Sequence, residues 1–424
     1  MKKILYFTIF LVLSFYNIQN VEAERIHTTG FESMASTSEG FIQTFTSNPL
    51  EFSAVIKRTG NASAKTNATM TSGEKNGSQI ALPSSIASTT TRFYLYISEY
   101  PDVDTSIFAV TTGSAVRGTL RLSTTGILEL LGGGSLVGST TTPLELERWY
   151  RIEVKYHVVR DGVAFAEAKV EGVTFGSASD VDLGTTLSQI WFGANLAATP
   201  EAATSGEWYF DDVAINDPTG STQNDYPGEG KVVNMLPNAA GDSTQGSSIS
   251  GGNGWDDLDE VVTDYNTTGW QMSSTNNTLD VNVQSPTEVG IKPADTITVV
   301  HVNTMVRNTG TAASSVAWRI KSGAGGTTTM TSTNAITTVA YVLNDDGSNK
   351  TSRIVSETEP QGGGAWTPAL LETMQIGIRA TDANPAVTVT QMWATVEYIP
   401  FPPLHRVNFL NGRIKFTNGR ILFR

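Results

Sequence analysis

Asp211 and Asp212 are the residues of this sequence best suited to chemistry: adjacent carboxylates in the middle of Gly206–Asp217, GEWYFDDVAIND. Aromatic and β-branched residues alternate around them with the period of a half-buried strand. Strands ordinarily avoid Asp, so an acidic pair there calls for a cation, a hydrogen-bond network or a solvated edge. On a regular strand neighbouring side chains point to opposite faces, which keeps the two from forming an acid–base couple by themselves.

The other candidates are thinner. Trp255–Glu260 (WDDLDE) is acidic beside an aromatic, but Asp257 and Asp259 fall in a Gly-flanked, loop-like context. Gly241-Asp242-Ser243 matches the opening of a GDS-type esterase motif by letters only, and no D-x-x-H follows to supply a base. His27, His157, His301 and His405 are far apart in sequence, which supports neither a triad nor a zinc site. Asn344-Asp345-Asp346-Gly347 reads as a hairpin turn. With no cysteine, thiol catalysis, thiolate zinc and iron–sulfur chemistry are excluded. No residue is assigned a catalytic role.

The elements that must position these residues are strands. Thr, Ser, Gly and Asn abound, long 3.6-residue periodicity is nearly absent, and short alternating segments are separated by polar turns, a pattern of β-sandwiches. Residues 24–217 hold strands at Arg92–Tyr100, Arg117–Leu122, Ile127–Leu131, Trp149–Val159, Phe165–Glu171, Gln189–Gly193 and Trp208–Asn216. A linker covers 218–230, and a second β-sandwich covers 231–400, with strands at Ile297–Arg307, Val316–Lys321, Thr337–Leu343, Met374–Thr381 and Val387–Ile399. Within it the Gly/Ser stretch Gly241–Gly254 reads as a loop, and Pro368–Thr373 as a short helix capped by Thr367.

Residues 401–424 repeat with a seven-residue period as RVNFLNG, RIKFTNG and RILFR, and the two Asn-Gly pairs are strong hairpin turns. The segment predicts a three-stranded β-meander tail that is marginal alone and docks on its own chain, another subunit or an anionic surface polymer. At the other end, residues 1–23 read as a secretory signal: Lys2 and Lys3, an apolar run Ile4–Tyr16, then Val21-Glu22-Ala23. The run is short for a membrane span, so the mature chain is expected outside the cell or on its surface, with no integral membrane segment.

At 424 residues the chain has room for two domains, and without disulfides each needs a substantial core. The net charge is −13, while Arg406, Arg413, Lys415, Arg420 and Arg424 concentrate positive charge in the acid-free tail. So acidic a body repels phosphate backbones, which argues against nucleic-acid binding.

Three segments in order, GFESM (Gly30–Met34), WYRIEV and YFDDVAIND, resemble a concanavalin A-like (laminin G-like) jelly roll of the lectin/glucanase superfamily. DYPGEGKVVNMLPNAAGDSTQ, WDDLDE and Gly362–Tyr398 resemble a family of tailed-phage virion structural proteins that carry this jelly roll and a second β-domain. The resemblance implies that the first and last strands lie side by side, bringing Glu32 to Asp211 or Asp212, where similar carbohydrate-binding jelly rolls hold a structural calcium. Glucan-hydrolysing members resemble one another in an E-x-D-x-x-E strand, which this sequence lacks. The expected function is that of an exported, non-catalytic protein: a glycan-binding or adhesive module on a cell envelope, or a purely structural, virion-associated component. A glycoside hydrolase is the remaining alternative. Tyr94, Tyr96, Tyr150, Tyr156, Trp191 and Trp208 are the aromatics available to stack on sugars.

Overall fold

The computed structural model describes residues 25–402, apart from 36–37, 45–48, 67–68, 159–164, 181–182, 200, 219–222, 263–266, 324–325, 327, 332, 338–341 and 344–354, together with 408–410 and 413–415. The expected leader, the Asn344–Gly347 turn and the third tail repeat lie outside the described residues. The architecture is all-β, with one short helix at Pro368–Leu371 among the described residues. Thr367 caps that helix, its side chain accepting from the Leu370 amide, with Pro in the first turn and Leu371 buried.

The first sandwich is one antiparallel sheet that curls over on itself. One layer runs from Phe41–Thr44 through Asn76–Ile86, Leu187–Ala194, Thr105–Thr112 and Ala115–Leu122 to Leu128–Gly132. The other contains Phe165–Val170, Trp149–His157, Ser88–Glu99 and Glu207–Asn216, the last of which also pairs with the N-terminal strand Arg25–Thr29. The layers are continuous where Ser135–Ser139 meets Val173–Ser179 through the pair Gly138 and Gly176. A side chain on Gly138 would stand 2.6 Å from the Gly176 Cα, so the curl needs glycine there.

Alternation sends one face of every strand inward, and the core forms around four phenylalanines. Phe93 lies 5.5 Å from Phe108, 5.5 Å from Phe192 and 5.7 Å from Phe210, ring centre to ring centre, and all four are fully buried. The edge-to-face and offset arrangements suit aromatic quadrupoles.

The second sandwich has its own core, with Trp318, Val302, Ile378 and Met392 among its members. One sheet centres on Val387–Ile399 between Thr296–Asn308 and Lys231–Met235; the other orders Pro237–Thr244, Thr278–Val283, Gln375–Asp382 and Ser314–Lys321. Here the sequence misleads: part of the Gly/Ser stretch expected as a loop is the edge strand Pro237–Thr244, paired to Thr278–Val283. Its outward positions are exposed, so small polar residues cost it no core contacts. In the tail, Asn408–Leu410 pairs with Arg413–Lys415; the Asn411-Gly412 turn expected between them lies outside the described residues.

Phe93 touches all three of the other rings, so Phe93→Ala opens a cavity that they fill poorly. A loss of about 3–5 kcal/mol is expected, read as a lower denaturation midpoint at unchanged slope.

Candidate functional site

The closing strand Glu207–Asn216 brings Asp211 and Asp212 into the junction between the two sandwiches, and both are fully buried. They do not point to opposite faces. The pairing with Ser88–Glu99 slips between Asp211 and Ala214, and Asp212 takes φ +49°, so a bulge turns both carboxylates the same way. Asp211 Oδ2 accepts from the Arg58 amide at 2.7 Å and the Thr59 amide at 3.3 Å. Asp212 Oδ2 pairs with the Arg58 guanidinium and accepts from Thr59 Oγ1 at 2.5 Å, while Oδ1 accepts from the Val232 amide at 2.6 Å.

Glu32 reaches the same place from the loop after the N-terminal strand, 2 % exposed. One carboxylate oxygen accepts from the Asn61 amide; the other, Oε1, is buried without a hydrogen-bond partner. Beside it lies a cavity of about 10 Å³, on the scale of one water, lined by Glu32, Ser33 and Asn61 from the first sandwich and Asn234, Leu236 and Gln391 from the second. Burial, then the charge of Asp211, pushes the Glu32 carboxyl well above its ordinary range. Burial, then Asp212, does the same to Asp211.

The fold places Glu32, Asp211 and Asp212 at one junction, where burial and the charge of Asp211 act on Glu32, and they differ in what they offer a cation. Glu32 Oε1 is the kind of orphaned atom a hard cation takes up. Asp212 already has a cation, Arg58, and Asp211 is committed to amides. Among the described residues no three His, Cys, Asp or Glu side chains converge as a set that could hold a metal.

Elsewhere the expected candidates are structural. Asp257 is buried and accepts from Ser248 Oγ at 3.1 Å and the Gly254 amide at 3.2 Å, which fixes its loop. His157 and His301 belong to different sandwiches, and His301 is fully buried. Of the aromatics considered for sugar stacking, all but Tyr96 are buried.

An open cleft of about 580 Å³ lies near the curl of the first sandwich, away from these residues. Ser139, Thr140, Thr141, Thr142 and Thr174 line it, with the half-buried Phe175 as aromatic surface and Glu145 and Arg148 as charge. The Ser139–Arg148 segment is tied down at several points. The Thr140 amide donates to Leu128 O at 2.9 Å, the Leu144 amide to Gly126 O at 2.8 Å, and Tyr100 Oη to Leu144 O at 2.5 Å. Tyr150 Oη accepts from the Glu145 amide at 2.8 Å, and the Arg148 guanidinium carbon sits 4.7 Å from the centre of the Tyr150 ring. Glu145 and Arg148 touch only at 3.5 Å, with side chains 75 % and 55 % exposed, so both are free to meet a ligand. The exposed Leu146 and Val173 belong to the same loop and hairpin end. Size and lining fit a small-molecule site. Sequence reasoning misses this cleft; the polar run Thr140–Thr142 before Pro143 and WYRIEV is the trace it leaves.

No family model and no curated protein sequence matches the chain. Among solved structures it is similar to an endo-β-1,4-glucuronan lyase from the fungus Trichoderma reesei, at 10% identity over 46% of this chain and 94% of that one, TM-score 0.34. It is similar to the alginate lyase Aly36B at 11% identity over 46% and 95%, TM-score 0.27. It is also similar to a Trypanosoma rangeli sialidase at 16% identity over 41% and 28%, TM-score 0.30, so the match spans under a third of that chain. These are glycan-processing enzymes, a finding that runs against the expectation of a non-catalytic structural or adhesive protein. That expectation rests on a missing linear motif, whereas a cleft assembled from a loop and two strand ends leaves none.

Removing the cation that serves Asp212 tests the junction. Arg58→Met leaves that carboxylate buried and unpaired, and a loss of about 3–5 kcal/mol in unfolding free energy is expected, measured by chemical denaturation.

Proposed function

We propose that this chain is a carbohydrate-active enzyme that takes a polysaccharide into the cleft beneath Ser139–Arg148. The observation that carries the reading is the cleft's lining: hydroxyls and aromatic surface beside one exposed carboxylate and one exposed guanidinium. Threonine and serine hydroxyls exchange hydrogen bonds with sugar hydroxyls, and the apolar face of a sugar ring lies against the half-buried Phe175. Glu145 is the group suited to moving a proton, and Arg148 the group suited to holding negative charge as it develops or an acidic substituent. Glu145 is the one carboxylate in the described lining, so the two-carboxylate arrangement of ordinary glycoside hydrolysis is not what supports this reading.

Incubation with a panel of neutral and acidic polysaccharides, scored by new chain ends, tests it. Cleavage of at least one is expected, and Glu145→Gln should lower kcat/KM roughly 10²–10⁴-fold, the range of a lost general acid or base. Cleavage by none, or full activity in Glu145→Gln, removes the reading.

A structural calcium at the junction remains part of the proposal, with Glu32 Oε1 as its unpartnered side-chain ligand, Asp211 held by amides and Asp212 by Arg58. When bound, the ion would supply the positive charge that Glu32 lacks and tie the N-terminal loop to the closing strand. Chelation should then lower the melting temperature, and Glu32→Gln should abolish that response; a melting temperature indifferent to chelator removes the ion.

A further inference from the structure

We infer that the outward face of the Ser88–Glu99 layer is a docking surface made for the second sandwich of the same chain, locked by one glutamate between two arginines. Arg25 of the N-terminal strand and Arg92 of Ser88–Glu99 are both fully buried, although both point away from the first sandwich's core. Arginine is rarely buried so completely unless it is paired. Their common partner is Glu397 of the second sandwich, 1 % exposed, whose two oxygens lie 2.5 Å from Arg25 Nη1 and 2.5 Å from Arg92 Nη1. Thr298 Oγ1 also donates to Glu397, at 2.7 Å.

Other donors of both guanidiniums are directed by the first sandwich and the linker, Arg25 Nη2 donating to Gln223 Oε1 at 3.1 Å. Arg25 Nε donates to Asn216 Oδ1 at 2.6 Å, and Arg92 Nε and Nη2 donate to the Asp212 carbonyl at 3.1 and 3.0 Å. Both charges are thus held in place before Glu397 arrives. Burial alone would raise the Glu397 carboxyl, but the two arginine charges outweigh it and bring it down to about 2. The linker follows the same face: the Gly228 amide donates to Glu153 at 2.8 Å, Tyr226 Oη donates to Glu167 at 2.7 Å, and the Lys169 ammonium sits 3.5 Å from the centre of the Tyr226 ring.

Docking without Glu397 would desolvate two like charges with nothing between them, which is far costlier than leaving them in water. Each sandwich has its own core, so loss of the glutamate should separate the sandwiches rather than unfold them. With this face occupied, a ligand of the first sandwich has to approach elsewhere, as the cleft at the curl allows.

The test uses the full chain and limited proteolysis of the 218–230 linker. Wild type should resist cleavage. Glu397→Leu should be cut at least roughly 100-fold faster, the scale expected for breaking a buried pair, while both fragments stay folded. The triple variant Arg25→Met, Arg92→Met, Glu397→Leu should regain resistance, because an apolar replacement of a whole buried ion group is tolerated. Wild-type resistance in Glu397→Leu overturns the inference, and so does failure of the triple variant to recover.

Discussion

Arg25 and Arg92 meet Glu397, and Arg58 meets Asp212, at the junction between two sandwiches, and charge buried there has to balance locally. That requirement explains features that otherwise look unrelated. It holds the N-terminal strand against the closing strand, because Arg25 must reach both Asn216 and Glu397. It explains why Asp212 accepts a left-handed backbone: only the bulge lets its side chain meet Arg58 while its carbonyl meets Arg92. It also singles out Glu32, whose buried Oε1 has no hydrogen-bond partner, as a group for which a proton or a metal ion makes up the balance.

With one face of the first sandwich committed to its neighbour, the open cleft lies near the curl. There the sheet turns from one layer into the other through Gly138 and Gly176, and the strand ends cannot pack as tightly as the aromatic centre. A tethered loop spans the resulting cleft and presents Glu145 and Arg148 on hydrogen bonds that other elements hold. Rigid support under exposed charged groups is the usual construction of a binding site on a β-scaffold. The structural and chemical ends of the first sandwich are thus separate, and a substitution at one can be read without disturbing the other.

Much of the scaffold was legible because alternation survives wherever one strand face is buried: Val387–Ile399 appears with the same limits in sequence and structure, and Trp149–His157 differs by two residues at one end. Alternation also misleads at Asp211 and Asp212, since a bulge inserts a residue without leaving a mark in composition. The strand Pro237–Thr244 was hidden for a different reason. Its outward positions face water and take small polar residues, the composition of a loop. The cleft is the least legible feature, since Ser139, Glu145, Tyr150 and Phe175 come together only through the curl. The absence of a linear catalytic motif therefore says little about activity in such a fold.

The central claim is that the carboxylates at the junction hold both sandwiches, and residue-resolved amide hydrogen exchange tests it most directly. The amides of Arg58, Thr59 and Val232 donate to Asp211 or Asp212, and Val232 belongs to the second sandwich. The account predicts that all three exchange together and as slowly as the core amides of Phe93 and Phe210, through opening of the whole junction. Fast exchange at Val232 while Arg58 and Thr59 stay protected would show the second sandwich leaving on its own, and would contradict it.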